Sequence, residues 1–71
     1  MPRKFKVGKM YFPYAAEFEP ITVVRRTEKT IWVNDTNTQW SMRVKTDQKG
    51  NEFVVDSTVP VFWRDAFTYF A

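Results

Sequence analysis

The sequence predicts a small, mainly β domain made of short antiparallel strands. β-branched and aromatic residues dominate its periodic stretches, and 18% of the 71 residues are aromatic. Cysteine and histidine are both absent, so stability must come from packing and not from disulfides or a zinc cluster. With 44% hydrophobic and 27% charged residues the composition is that of a globular protein. We expect residues 1–71 to form one domain.

The first strand is predicted at residues 6–12, which include β-branched and aromatic residues. Residues 13–20 then begin and end with proline and contain two acids. This stretch is typical of an irregular excursion between strands.

Residues 21–27 and 30–34 are predicted to form a hairpin closed around Glu28 and Lys29. A two-residue and a four-residue loop both give the same register, so the register is better determined than the type of turn. The predicted pairs are Arg26 with Ile31, Arg25 with Trp32, and Val24 with Val33.

A polar turn at residues 35–38 precedes the next predicted strand, residues 39–46. Its alternation places Trp40, Met42 and Val44 on one face, which we predict to be the core face, and Arg43 on the opposite face.

A second hairpin is predicted around residues 47–50, with Gly50 supplying a positive φ angle. A four-residue loop brings apolar residues together and places a lysine opposite a glutamate. The predicted pairs are Thr46 with Asn51, Lys45 with Glu52, Val44 with Phe53, and Met42 with Val55.

The C-terminal segment allows two interpretations. Trp63, Phe67 and Phe70 recur at helical spacing, but β-branched and aromatic residues crowd the segment, and these are poor helix formers. We therefore predict one helical turn at residues 60–65 and a final strand at about 66–70. The alternative is a curved antiparallel sheet with a C-terminal helix, an α+β fold.

The order of these elements resembles that of an SH3-like barrel. Five or six short strands, a long first loop, tight later hairpins and a helical turn before the last strand follow that plan. The resemblance lies in element order alone, and it implies a small five- to six-stranded barrel.

Positive charge is concentrated at the N-terminus. Residues 1–9 carry +4 and the rest of the chain −1, for a net charge of +3. We interpret residues 1–5 as a basic arm, with Arg3, Lys4 and Lys6 available to contact phosphates.

The sequence offers little for catalysis. Without histidine or cysteine there are no imidazole or thiolate groups, and no phosphate-binding glycine motif or acidic calcium loop occurs. We expect a non-catalytic domain without cofactor or metal. Because no apolar run has membrane-spanning length, we also expect no membrane association and a cytoplasmic location.

One sheet face combines an aromatic ring with cations. The predicted registers place Trp32 with Arg25, Arg43 and Lys45 on the face opposite the core, together with Val23 and Val54. A flat ring bordered by cations is typical of single-stranded nucleic-acid binding, since the ring stacks on a base and the cations meet phosphates. We expect weak, salt-sensitive binding of this kind.

Two alternatives use the same residues. Tryptophan and arginine are common anchors of protein interfaces, so the face is also typical of a docking surface, for example in an inhibitory accessory protein of a phage or mobile element. In the other alternative Trp32 lies on its own sheet, stacks against Arg25 and binds nothing.

Overall fold

A computed structural model describes residues 2–15, 18–35 and 38–71 of the chain. The fold is mainly β, as the sequence predicts, and the helical content of these residues is one short 3₁₀ helix. The elements in chain order are β1 (Met10–Tyr11), β2 (Ile21–Arg26), β3 (Thr30–Asn34), β4 (Gln39–Arg43), β5 (Lys45–Thr46), β6 (Glu52–Val55), the 3₁₀ helix (Val61–Trp63) and β7 (Thr68–Phe70).

The described strands form two antiparallel sheets and not a closed barrel. The first sheet has the order β1-β2-β3-β4 and the second the order β5-β6-β7. The two sheets meet at Val44, whose backbone N–H donates to the carbonyl of Lys29 at 2.8 Å. At the other side an isolated antiparallel bridge joins Pro13 to Tyr69. The mainly β class is therefore confirmed, whereas closure into an SH3-like barrel is not.

The hairpin of β2 and β3 contains a bulge that the alternation did not predict. Arg26 lies opposite Ile31 and Arg25 opposite Trp32, as expected, but Val33 pairs with Val23 and not with Val24. The extra residue at Val24 reverses the alternation beyond it. Val23 is consequently buried in the core, so its predicted place on the outer face is wrong.

The strand β4 presents the predicted side to the core. Met42 is 6% exposed, and Trp40 and Val44 pack against the same cluster. Arg43 is exposed on the other side. The chain bends after Arg43, so the predicted strand 39–46 is divided between the two sheets.

The register of β5 and β6 differs by one residue from the prediction. Lys45 pairs with Phe53, and Thr46 with Glu52. A three-residue loop accounts for the shift: the Asp47 N–H donates to the Asn51 carbonyl at 2.9 Å, and Gly50 has the expected positive φ of 83°. The proposed pair of Lys45 and Glu52 is therefore wrong.

This shift exchanges the two faces of β6. Glu52 and Val54 point inward and are 6% and 0% exposed, whereas Phe53 and Val55 lie on the outer face and are half-buried. Val54 thus belongs to the core and not to the binding face. Phe53 and Val55, predicted to line the core, instead belong to the surface of the second sheet.

An ion pair makes the buried carboxylate of Glu52 tolerable. Arg26 donates to both of its oxygens, at 2.8 Å to Oε1 and 3.1 Å to Oε2, and the Phe5 N–H donates to Oε1 at 2.9 Å. Arg26 also donates to the carbonyl of Phe5 at 2.8 Å. A paired and hydrogen-bonded charge avoids most of the cost of burial. In the observed register the inward-facing Glu52 therefore has Arg26 as its partner.

The core lies between the two sheets and includes the N-terminal segment. Phe5 is 2% exposed and contacts the ring of Tyr11 edge-on, with 4.8 Å between ring centroids. The N-terminal segment is thereby fixed against the domain. The buried hydrophobic residues are Phe5, Ile21, Val23, Ile31, Val33, Met42, Val54 and Tyr69.

The C-terminal segment follows the preferred interpretation. The 3₁₀ helix lies within the predicted turn at residues 60–65, and β7 lies within the predicted final strand. No long C-terminal helix is found, and residues 60–71 are all described. Strand β7 pairs with β6 and meets the chain beyond β1 at Pro13.

The predictions for the first strand and for the turn at residues 35–38 are only partly confirmed. The first strand is two residues long, shorter than the predicted 6–12. The turn at residues 35–38 is closed by the Asp35 N–H donating to the Thr38 carbonyl at 3.0 Å, but its central residues, Thr36 and Asn37, lie outside the described part of the chain.

Candidate nucleic-acid interface

Trp32 and Arg25 lie together on the outer face of the first sheet. They are cross-strand partners, and the Arg25 guanidinium carbon is 4.8 Å from the centroid of the Trp32 ring. Trp32 is half-buried and Arg25 is exposed. The arginine therefore covers part of the ring, and its side chain stays exposed to solvent.

Arg43 shares this outer face. Trp32 lies opposite Ser41, and Thr30 lies opposite Arg43 two residues further along β4. Because side chains alternate along a strand, Ser41 and Arg43 point to the same side as Trp32. Arg43 is exposed, so it extends the aromatic-basic surface toward the end of the sheet.

At that end Arg43 enters a basic groove of about 990 Å³. The groove lies where the two sheets meet, beside the bend at Val44, and its apolar lining includes Phe5 and Val44. Four separate segments of the chain supply its charged residues. These are Lys4, Lys6, Arg26, Glu28, Lys29, Arg43, Lys45 and Glu52.

The groove carries more positive charge than the protein as a whole. Six basic and two acidic residues line it, which gives +4, whereas the net charge of the whole chain is +3. Arg26 and Glu52 neutralise each other across 2.8 Å. The remaining lysines and Arg43 are exposed, with Glu28 as the single further acid.

The Arg26–Glu52 pair holds the groove's geometry and its charge state. The hydrogen bond from Arg26, opposed by desolvation, lowers the pKa of the Glu52 carboxyl below its ordinary value of 4.5. The same hydrogen bond raises the pKa of Arg26. Both groups are therefore charged at neutral pH, and the pair ties the N-terminal segment, β2 and β6 together.

The N-terminal segment positions two of its three predicted cations in the groove. The backbone of Arg3 is fixed by two hydrogen bonds, its N–H donating to Asn51 Oδ1 at 2.8 Å and its carbonyl accepting from Glu52 N–H at 2.9 Å. Lys4 and Lys6 line the groove, whereas the exposed Arg3 does not. The predicted basic arm therefore packs along the domain, with Phe5 in the core and its basic side chains exposed.

The structure brings together most of the residues that the sequence selected, and adds one. Lys4, Lys6, Arg43 and Lys45 meet in the groove, and Trp32 and Arg25 adjoin it through Arg43. Lys29 was missed. It reaches the groove because its carbonyl accepts the N–H of Val44, and only the bend between the sheets, which the sequence pattern did not reveal, creates that contact.

The described residues contain neither a metal-ion cluster nor a membrane-spanning helix. No group of three or more aspartates, glutamates, cysteines or histidines is arranged to hold a metal ion. No helix there has the length and apolar character needed to cross a membrane.

Comparison with known proteins finds no match: no protein-family model, no curated protein and no solved structure is similar to this chain.

Proposed function

We propose that this domain is a non-catalytic module that binds single-stranded nucleic acid in the basic groove, with a base stacked at Trp32. The observation that supports it best is the convergence of exposed cations from three segments in one groove. Such a groove neutralises successive phosphates of a strand, and a nearby aromatic ring supplies stacking that every base can use.

A single strand suits this surface better than a duplex does. Base faces are accessible only when they are unpaired, and Trp32 with Arg25 presents flat groups rather than hydrogen-bond donors arranged for base edges. The cations are few and exposed, so binding should be weak, micromolar or weaker, and strongly dependent on salt. Sequence preference should be small.

The SH3-like plan and the cytoplasmic location stay predictions of the sequence. The contacts that favour the plan are the link at Val44 and the bridge from Pro13 to Tyr69, which join the two sheets on opposite sides. Nucleic-acid binding does not depend on complete closure, because the groove needs only the junction at Val44.

The direct test is to titrate labelled single-stranded and duplex oligonucleotides with the protein at two salt concentrations and to monitor binding by fluorescence anisotropy. We expect the single strand to bind more tightly, with affinity falling as salt rises. Each single-strand phosphate contact contributes about −0.7 to the slope of log K against log salt. Absence of binding at low salt would contradict the proposal.

Matched variants separate the groove from general basicity. Lys4→Gln should weaken binding and reduce the magnitude of the salt slope by about 0.7. Lys9→Gln removes the same charge from an exposed position that does not line the groove, and it should leave the slope unchanged. Equal effects of the two variants would mean that only net charge matters.

A second pair of variants tests stacking. Trp32→Ala should lower affinity about 5- to 100-fold, the range for the loss of one stacked base, without changing the salt slope. Trp63→Ala removes a tryptophan that is 47% exposed on the 3₁₀ helix and should have no effect. If binding instead depends on Trp63, the stacking surface lies elsewhere.

Docking of a protein on the Trp32 face is the competing function. It predicts an affinity that hardly changes when Arg3, Lys4 and Lys6 are neutralised but collapses on truncation of Trp32. Recovery of a specific protein partner from nuclease-treated lysate, together with failure to bind oligonucleotides, would favour it.

A further inference from the structure

The outer face of the second sheet exposes a row of aromatic side chains. Phe53 of β6 and Phe70 of β7 are cross-strand partners with 6.2 Å between ring centroids, and Tyr14 contacts Phe70 edge-on at 6.4 Å. Tyr14 is 73% and Phe70 55% exposed. We call Tyr14, Phe53, Val55 and Phe70 the aromatic face.

The aromatic face is concave as well as apolar. Together with Asp65 and Thr68, its residues line a cleft of about 410 Å³. Taking about 200 Å² for a fully exposed aromatic side chain, Tyr14 and Phe70 alone expose about 250 Å². An apolar patch of that size, extended by the half-buried Phe53 and Val55, approaches the largest patches of ordinary monomers, which often mark interaction sites.

The two ends of the aromatic face carry opposite charges. Lys45 is the cross-strand partner of Phe53 and therefore points to the same side of the sheet, beyond the phenylalanine. Asp65 lines the same cleft and lies on the side of Tyr14, because the Thr68 backbone accepts from the Tyr14 N–H at 2.8 Å and donates to the Asp65 carbonyl at 3.4 Å. Lys45 and Asp65 are both exposed. The row thus runs from a cation through three rings to an anion.

A surface with this order is complementary to itself. In a two-fold symmetric dimer the same patch meets its own copy in reverse, so residue i contacts residue j and j contacts i. About a two-fold axis that lies in the plane of the interface near the Phe53–Phe70 pair, reversal turns the Lys45 end of each copy toward the Asp65 end of the other. A partner without the reversed order of charges would not place opposite charges against Lys45 and Asp65.

We propose that a second copy of this chain covers the aromatic face, forming a symmetric dimer with its sheets packed face to face. The interface contains an apolar centre and two reciprocal pairs of Lys45 with Asp65. Only Lys45 is shared with the basic groove, so the remaining groove cations stay at the surface of the dimer.

The patch is small in comparison with a standard interface, which buries about 800 Å² on each partner. The dimer should therefore dissociate on dilution, with a dissociation constant in the micromolar range. Nuclease-treated protein at about 10 μM to 1 mM should show a mass rising from the monomer value of 8.5 kDa toward twice that value by sedimentation equilibrium. A constant monomer mass over this range would overturn the proposal.

Substitutions locate the interface. Phe70→Thr removes the central ring and puts a β-branched residue, which favours strands, into β7. Tyr14→Ser removes a ring from an exposed position outside the strands. Each substitution should weaken dimerisation at least tenfold. Circular dichroism confirms that each variant is folded. A folded Phe70→Thr or Tyr14→Ser protein that dimerises like the wild type would overturn the assignment.

A charge exchange tests the reversed orientation. Lys45→Glu and Asp65→Lys should each weaken the dimer about tenfold, because each brings like charges together in both halves of the interface. The double variant restores opposite charges and should return to within about threefold of wild type. Lys29→Glu, an equal charge change in the groove, serves as control. Failure of the double variant to recover would overturn the two-fold arrangement, whatever the outcome of nucleic-acid binding.

Discussion

The two sheets share one core but differ in what they present to solvent. The first sheet exposes Arg25 and Arg43 around the half-buried Trp32. The second exposes Phe70 beside the half-buried Phe53 and Val55. An outer face that is basic on one sheet and aromatic on the other suits two separate interactions, a polyanion and an apolar partner.

The difference continues on the inner faces. The first sheet turns aliphatic side chains such as Ile31 and Val33 inward, each essentially inaccessible to solvent. The second turns Glu52 and Asp56 inward beside Val54. The first sheet is therefore held by apolar packing, whereas the second depends on polar pairs as well. Substitutions in the two sheets should fail for different physical reasons.

The largest expected effect is loss of apolar packing in the first sheet. Met42→Ala should lower the free energy of unfolding by about 2–5 kcal/mol, the usual cost of truncating a large buried side chain. Because a small domain has only about 5 kcal/mol in total, the variant should be largely unfolded. Thermal melts measure it. The neighbouring Arg43→Ala, on the exposed side, should change stability by no more than about 0.5 kcal/mol, and an equal loss would contradict the assignment of faces.

The polar inner face of the second sheet should respond to removal of its counter-ion. Arg26→Ala leaves the Glu52 carboxylate buried without its paired arginine, and we expect the free energy of unfolding to fall by about 2–4 kcal/mol. Urea denaturation at neutral pH measures the change. If the variant is as stable as wild type, the ion pair does not support the register of β6.

The same pair predicts a dependence of stability on pH. Because the pKa of Glu52 in the folded protein is below its ordinary value of 4.5, the unfolded chain takes up a proton first as the pH falls. The contribution of the ionised Glu52 to the free energy of unfolding is complete above about pH 4.5. It is lost as the pH falls through the lowered pKa of Glu52 in the folded protein. Denaturation curves from pH 6 to 3 should show a smaller loss of stability for Glu52→Gln than for wild type. Hydrogen bonds also lower the pKa of Asp47, but this affects both proteins equally.

The register of the second sheet gives a smaller and more discriminating effect. Val54→Ala should cost about 2 kcal/mol because Val54 is inaccessible to solvent, whereas Val55→Ala, on the half-buried outer face, should cost less than about 1 kcal/mol. The two substitutions remove the same atoms from adjacent positions. A larger cost at Val55 would instead favour the register that the sequence pattern predicted, with Val55 on the core face.

Alternation predicted the first sheet better than the second for a physical reason. In β3 and β4 the aliphatic residues all lie on one face, so a register shift would expose the core and the pattern is decisive. Residues 52–56 read Glu-Phe-Val-Val-Asp, with apolar residues available to either face. In the structure Glu52 faces inward and pairs with Arg26, which is 26 positions away in sequence. Local pairing rules contain no such information.

The candidate site was predictable to a similar extent. Trp32, Arg25 and Arg43 follow from strand alternation, and the structure places them as neighbours on one surface. The groove does not follow from it, because Lys4, Lys29 and Lys45 meet only through the bend at Val44 and the docking of Phe5. The bulge at Val24 likewise moved Val23 inward. The features that the sequence did not predict, the groove and the burial of Val23, both arise from irregularities of the backbone at Val44 and Val24.

The smallest expected effect concerns Arg25 and Trp32, and it tests whether the exposed surface of the first sheet is organised or merely polar. A cation over a ring at an exposed site contributes about 0.5–1 kcal/mol, and the guanidinium carbon lies 4.8 Å from the ring centroid. A double-mutant cycle with Arg25→Ala and Trp32→Leu should therefore give a coupling free energy of about 0.5 kcal/mol in urea denaturation. The cycle is needed because either substitution alone also changes strand propensity and buried area. A coupling of zero would mean that the arginine adjoins the ring without stabilising it. A measurable coupling would mean that any ligand stacking on Trp32, such as the base of the proposed complex, must compensate for the interaction that the arginine makes in the free protein.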